Sequence, residues 1–112
     1  MSEVIVVATL AVRPGMEDAA EDLVTGLVEP THAEDGCLLY AVHRSLSGPR
    51  VLSFVERWQS AELLDRHLAN AHVQAFNARA GQFFSDVQVH RFEAVALGEA
   101  DKGSLEGHGA AR

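Results

Sequence analysis

The chain has 112 residues, 47% of them hydrophobic and 22% charged, with a formal net charge of −7. That length makes one domain, able to bury about 60–70% of its unfolded surface without covalent staples. The balance is acidic and the basic residues, among them Arg13, Arg44, Arg50, Arg57, Arg66, Arg79 and Arg91, are scattered, which excludes nucleic acid and anionic membrane surfaces as expected partners.

The single cysteine, Cys37, rules out an internal disulfide and any multi-cysteine metal site. It follows Gly36 and opens an apolar run, so it reads as a buried structural thiol. The N-terminal MSEVIVVATLAV lacks a basic leader and a cleavage site, and its apolar run is too short to span a bilayer. A cytoplasmic protein is the expectation.

Residues 4–12, VIVVATLAV, are largely β-branched and stop at Arg13-Pro14-Gly15, which predicts a strand ending in a turn. Met16, Ala19, Ala20, Leu23, Val24, Leu27 and Val28 then recur with helical period, and Glu17, Asp18, Glu21 and Asp22 hold the opposite face. Pro30 is expected to close this helix, leaving 31–36 as loop. CLLYAVHR (37–44) and RVLSFVERW (50–58) predict two strands joined by SLSGP. Ser60 is placed to cap a helix starting near Ala61, with a break at Asn70, a second segment to about Ala80, and Gly81 as stop. Residues 83–97 predict a last strand, and 98–112 a Gly-rich flexible tail beyond a domain of residues 1–97.

The order β-α-β-β-α-β is the ferredoxin-like α+β arrangement, an antiparallel sheet with its helices on one face. Val4, Val6, Ala8, Leu10 and Val12 point one way, whereas Ile5, Val7 and Ala11 point the other. A sheet with one wet face alternates apolar with polar, and this one is apolar on both. The second face therefore predicts a homodimer, sheet against sheet.

Trp58 ends the third strand, with Glu56 and Phe54 on the same face. Trp58 reads first as a core residue packed under the following helix, and it can be pocket wall as well; Glu56 is solvated, paired with an arginine, or a titrating site group. His67 and His72 are five apart, about 140° on an unbroken helix, which is not a chelating spacing, so no metal site is expected. They flank a stripe of Leu64, Leu68, Ala71 and Ala75, and a break at Asn70 is what would bring both to one cavity. No phosphate loop, nucleophile elbow, or flavin, nicotinamide or haem motif is present. The residues alone therefore define an α+β dimer with an aromatic- and histidine-lined cavity.

Three motifs together, EDGCLLY (34–40), Glu56-x-Trp58 and His67-x4-His72-x3-Phe76, resemble the antibiotic-biosynthesis monooxygenase family over about residues 3–97. The resemblance implies a dimeric α+β barrel with a pocket between sheet and helices in each subunit. Some members oxidise polyketide phenols or quinols with O₂ and no cofactor, others degrade haem, and others isomerise small metabolites. The cofactor-free chemistry is physically coherent, because a deprotonated phenol can itself reduce O₂. A phenol of pKa ~10 is disfavoured as anion at pH 7 by roughly 4 kcal/mol, a gap that one base and one or two donors can close.

The resemblance implies His72 or His67 as that base, with His72 the first choice because it follows the expected break. Trp58, Tyr40, Phe54, Phe76, Phe83, Phe84 and Glu56 are the candidate substrate-binding residues. Phenol-oxidising members place an Asn four residues before the Trp, where this chain has Phe54. The haem-degrading branch uses an Asn and a His where this chain has Ala8 and Asn77, so haem degradation is disfavoured. A monooxygenase of a small phenol or quinol, a small-molecule isomerase, and a non-enzymatic stress-related ligand-binding dimer remain open.

Overall fold

The nine residues VIVVATLAV form the long inner strand β1 (Val4–Val12), and the other elements of this computed structural model, which describes residues 2–106, assemble on it. They are α1 (Glu17–His32), β2 (Cys37–Arg44), β3 (Val51–Trp58), α2 (Ala61–Ala69), α3 (Ala71–Phe83) and β4 (Phe84–Phe92). The strands lie in the order β2-β3-β1-β4, all antiparallel, which is the ferredoxin-like α+β fold.

Register divides each strand between two faces. On the inner face Val6, Ala8, Leu10 and Val12 of β1 join Leu52, Phe54 and Trp58 of β3 and Tyr40 of β2 in one buried core, closed by Ala20, Val24 and Leu27 of α1, Leu64 of α2 and Phe83. Burying aliphatic and aromatic side chains of this size gains roughly 1.5–3 kcal/mol each, which is what holds the helices on the sheet.

Several boundaries differ from the sequence reading. Pro30 does not end α1, which runs on to His32 with the proline inside its last turn. There it forfeits a single backbone bond on an exposed face, and Ala33 N–H closes the helix on Glu29 O at 3.2 Å. The extra turn carries Thr31 to a fully buried position. Gly81 does not stop α3, which continues to Phe83 and passes directly into β4. That strand ends at Phe92, not at residue 97, because its pairing with β1 runs out at Ile5↔Phe92. Residues 107–112, the end of the expected tail, lie outside the described residues.

The break at Asn70 is present, with φ −66° and ψ 150° separating α2 from α3. It also resets the helical phase. Leu64 and His67 of α2 and Val73 and Phe83 of α3 are buried, while Leu68, Ala71 and Ala75 are exposed and do not form the stripe expected of one continuous helix.

The outer face carries two largely apolar rows, interrupted by Arg57 and His90. Leu39, Arg57, Ile5 and Phe92 align across the four strands, followed by Ala41, Val55, Val7 and His90. The next row, His43, Ser53, Thr9 and Gln88, is polar, so the apolar area occupies one end of the sheet. Arg57 is buried there and held by both carboxylate oxygens of Glu3, at 2.8 and 2.9 Å.

We propose that a second copy covers this end. Sedimentation at micromolar concentration is expected to give a dimer mass, and Val7→Asp, which puts an unpaired carboxylate into the covered patch, is expected to yield a folded monomer. A wild-type monomer would refute the arrangement.

Candidate active site

The loop after α1 turns on Gly36, whose φ of +83° favours glycine and whose Cα leaves no room for a side chain: a Cβ would sit 2.7 Å from Leu63 Cβ. This close approach of loop to helix delivers Glu34 to the gap between α2 and α3. Three donors from those helices converge on its carboxylate. His67 Nδ1 lies 2.7 Å and His72 Nε2 3.0 Å from Oε2, and Asn70 Nδ2 donates to Oε1. Asn70 therefore spends its side chain on Glu34 and caps α3 only through its carbonyl, which accepts Gln74 N–H at 3.0 Å. Thr31 Oγ1 adds a contact to His72 Nε2 at 3.3 Å.

The bond from Nδ1 to a carboxylate fixes the His67 ring and leaves Nε2 as its basic nitrogen, as an aspartate does in hydrolytic triads. The ring lies against the Trp58 indole, with centroids 4.6 Å apart, and Tyr40 approaches it edge-on at 5.6 Å. Trp58, fully buried, donates Nε1–H to Glu56 Oε1 at 2.9 Å. Glu56 is itself 6% exposed, and burial, with the negative Glu34 nearby, pushes its carboxyl from an ordinary 4.5 to about 7, against the lowering effect of the Trp58 bond. Burial and Glu56 raise the Tyr40 phenol too, so that it remains an O–H donor; burial with Glu34 and Glu56 pushes the Cys37 thiol up to about 11, which fits the structural role read from its position.

A cavity of about 110 Å³ opens between the inner sheet face and α2–α3. Tyr40, Phe54, Glu56, His67 and Phe76 line it, with Val6, Ala8, Leu10, Leu64 and Val73, and half-exposed Val87 and Val89 of β4 form its edge. Arg91 stands at that edge, bound to Asp65 at 2.8 Å. Of the residues expected at the site, His72, Trp58, Phe83 and Phe84 are not in this lining. His72 sits behind Glu34, Trp58 behind His67 and Glu56, and Phe83 and Phe84 belong to the core. A larger groove of about 380 Å³ beside α1 and β2 holds Glu21 bridged to Arg44 and Arg50, where the charges satisfy one another.

Glu34, Thr31 and Asn70 escaped the sequence reading as site residues. Glu34 is 33 residues from His67, and only its place in the Glu-x-Gly motif marked it. Its arrival also changes the metal question, since the Glu34, His67 and His72 donor atoms all lie within 4.8 Å of one another, a grouping that could surround a divalent cation. In this structure the same atoms hydrogen-bond each other, and a metal would have to replace those protons.

The sequence profile of the antibiotic biosynthesis monooxygenase family matches residues 3–79. The chain belongs to that family, as an α+β domain of the ferredoxin-like fold. It is 33% identical over 84 residues to the Mycobacterium tuberculosis protein named "Putative monooxygenase Rv0793", covering 75% of this chain and 82% of that one. The solved structure of Rv0793 superposes with a TM-score of 0.78, covering 88% of this chain and 99% of that chain. PA3566 from Pseudomonas aeruginosa gives 0.81 at 26% identity, over 86% and 97%.

Glu56 makes stability depend on pH. Below pH 4.5 the folded and unfolded chains both carry its proton; between 4.5 and about 7 only the folded chain does, so stability falls as pH rises through that window. Above 7 the folded state bears the full penalty of a buried carboxylate, on the order of 3 kcal/mol. Glu56→Gln is therefore expected to raise the melting temperature at pH 8 and to leave it nearly unchanged at pH 4, measured by calorimetry; equal effects at both pH values would contradict the assignment.

Proposed function

We propose that this protein is a cofactor-independent monooxygenase that oxidises a small phenol or quinol with O₂. The observation that carries this reading is His67, held by Glu34 and lining a largely apolar cavity together with the Tyr40 ring, whose hydroxyl is hydrogen-bonded to Thr31. A base in a dry aromatic site can take the hydroxyl proton of a bound phenol, and a neighbouring donor stabilises the resulting anion. The phenolate then passes an electron to O₂, and the two radicals couple at an open ring carbon. Overall, phenol and O₂ give quinone and water: the ring supplies every electron, one oxygen atom becomes the new carbonyl, and the other leaves as water.

Cavity size favours one ring. An apolar cavity of ~150 Å³ holds benzene, and the 110 Å³ here extends past Val87 and Val89 towards solvent. His67 takes the role of base ahead of His72, because His67 lines the cavity while His72 braces Glu34 from the other side. One observation supports a second reading: two acid–base groups, His67 and Glu56, share the cavity, and such a pair also suits an isomerase that removes a proton and returns it elsewhere.

Oxygen uptake with one-ring hydroquinones, by protein stripped of metal with chelator, is the test. We expect sustained uptake unchanged by added zinc or iron(II), a loss of about 10²–10⁴-fold in His67→Ala, and a smaller loss in His72→Ala. Uptake that requires metal would make Glu34, His67 and His72 a ligand set instead. Conversion of a substrate without oxygen would favour the isomerase.

A further inference from the structure

Monooxygenation of a phenol needs two different protons moved, and the cavity holds two groups to move them. The hydroxyl proton leaves first. After oxygen has joined the ring, the same carbon still bears its hydrogen, and that proton must also leave before a carbonyl can form. The titratable or charged side chains lining the cavity are Tyr40, Glu56, His67 and Arg91. Tyr40 is held protonated by burial beside Glu56, and Arg91 is a permanent cation bound to Asp65 at the edge. That leaves His67 and Glu56, both in contact with one indole: Trp58 lies against the His67 ring with its face and gives its edge N–H to Glu56 Oε1. The Trp58 bond occupies one oxygen of Glu56 and fixes the carboxyl plane.

We propose that Glu56 is a second catalytic residue of this cavity, the carboxylate that removes the ring C–H proton once oxygen has added and delivers it to the departing hydroxide. The assignment rests on the monooxygenase reading above. In the first half, His67 takes the hydroxyl proton, O₂ bonds to the ring carbon, and protonated His67 returns its proton to the outer peroxide oxygen. In the second half, Glu56 takes the C–H proton, that electron pair becomes the carbon–oxygen double bond, and the O–O bond breaks. Hydroxide leaves, collects the proton from Glu56, and departs as water. Both residues end in their starting states, and no outside reductant enters.

The surroundings of Glu56 suit this alternation between acid and carboxylate. β1 places Val6 directly beside it, and the cavity side of α3 brings Val73 and Phe76, all apolar. The ionisable groups around it are Tyr40 and Cys37 of β2, Glu34 of the preceding loop, His67 of α2, and Arg91 of β4, which is engaged by Asp65 of α2. Against that background the carboxyl titrates at about 7, so both forms are populated at neutral pH.

The test compares wild type, Glu56→Gln and His67→Ala on a one-ring hydroquinone with hydrogen or deuterium on the ring. Mixed without oxygen, wild type and Glu56→Gln are expected to show the phenolate absorbance band, and His67→Ala to lack it. With oxygen, Glu56→Gln is expected to lose about 100-fold in kcat, to gain a several-fold isotope effect from ring deuterium, and to lose the rise in kcat through pH 7. Trp58→Phe, which keeps Glu56 but removes the bond that favours its charged form, is expected to move that rise to higher pH. The proposal is overturned if Glu56→Gln keeps kcat within two-fold or loses the phenolate band, or if Trp58→Phe leaves the pH limb in place. Absence of oxygen uptake by the wild type with the whole hydroquinone panel would overturn the monooxygenase reading and this inference with it, and is recognised before any variant is compared.

Discussion

The carboxylate of Glu34 is the point at which the site is tied together. It receives hydrogen bonds from His67 on α2, Asn70 at the break, and His72 on α3, so one side chain from a loop fixes two helices against each other. A buried carboxylate without partners costs several kcal/mol, and three donors remove that cost. Gly36 makes the arrangement possible by letting the loop press against Leu63, and the late turn of α1 supplies Thr31 behind His72. Loss of any one donor would leave a half-satisfied buried group, which is why the network acts as a unit.

From this point the order of contacts leads directly to the cavity. Glu34 orients His67, His67 stacks on Trp58, and Trp58 holds Glu56. Only His67 and Glu56 of this series line the cavity; the others face away and act through them. Side chains locked by packing and by hydrogen bonds from behind are what a site needs to present a base at a constant angle. Apart from Tyr40, Asn77 and Arg91 the remaining lining is apolar, which strengthens each electrostatic interaction on the inner side of the cavity.

Much of this was legible in the sequence, for identifiable reasons. The β-branched run of β1, the Ser60 cap and the Asn70 break are local signals, and each governs its own element: Ser60 Oγ accepts Leu63 N–H at 3.2 Å, and the chain does turn at Asn70. Pro30 misled because proline is a reliable breaker only in a helix interior, and its cost in an exposed last turn is a single bond. Ala71 and Ala75 left the expected stripe because the break at Asn70 shifted the phase by which they were counted, whereas Leu68, before the break, is exposed at the cavity rim. Glu34 was invisible as a partner of the two histidines, since a contact across 33 residues leaves no periodicity to read. The five-residue spacing of His67 and His72 argued only against chelation on one unbroken helix; the break at Asn70 and a common third residue, Glu34, are what join them.

The central claim is that Glu34 sets His67 as a base with its free nitrogen available to the cavity, and imidazole nitrogen NMR tests it most directly. Long-range nitrogen–proton correlation of ¹⁵N-histidine-labelled protein distinguishes the two ring nitrogens. The account predicts a proton on Nδ1 of His67 and none on Nε2, with the Nε2 resonance moving when a one-ring phenol that O₂ does not attack is added. A proton on Nε2 with Nδ1 bare, or an Nε2 resonance indifferent to the phenol, would contradict it.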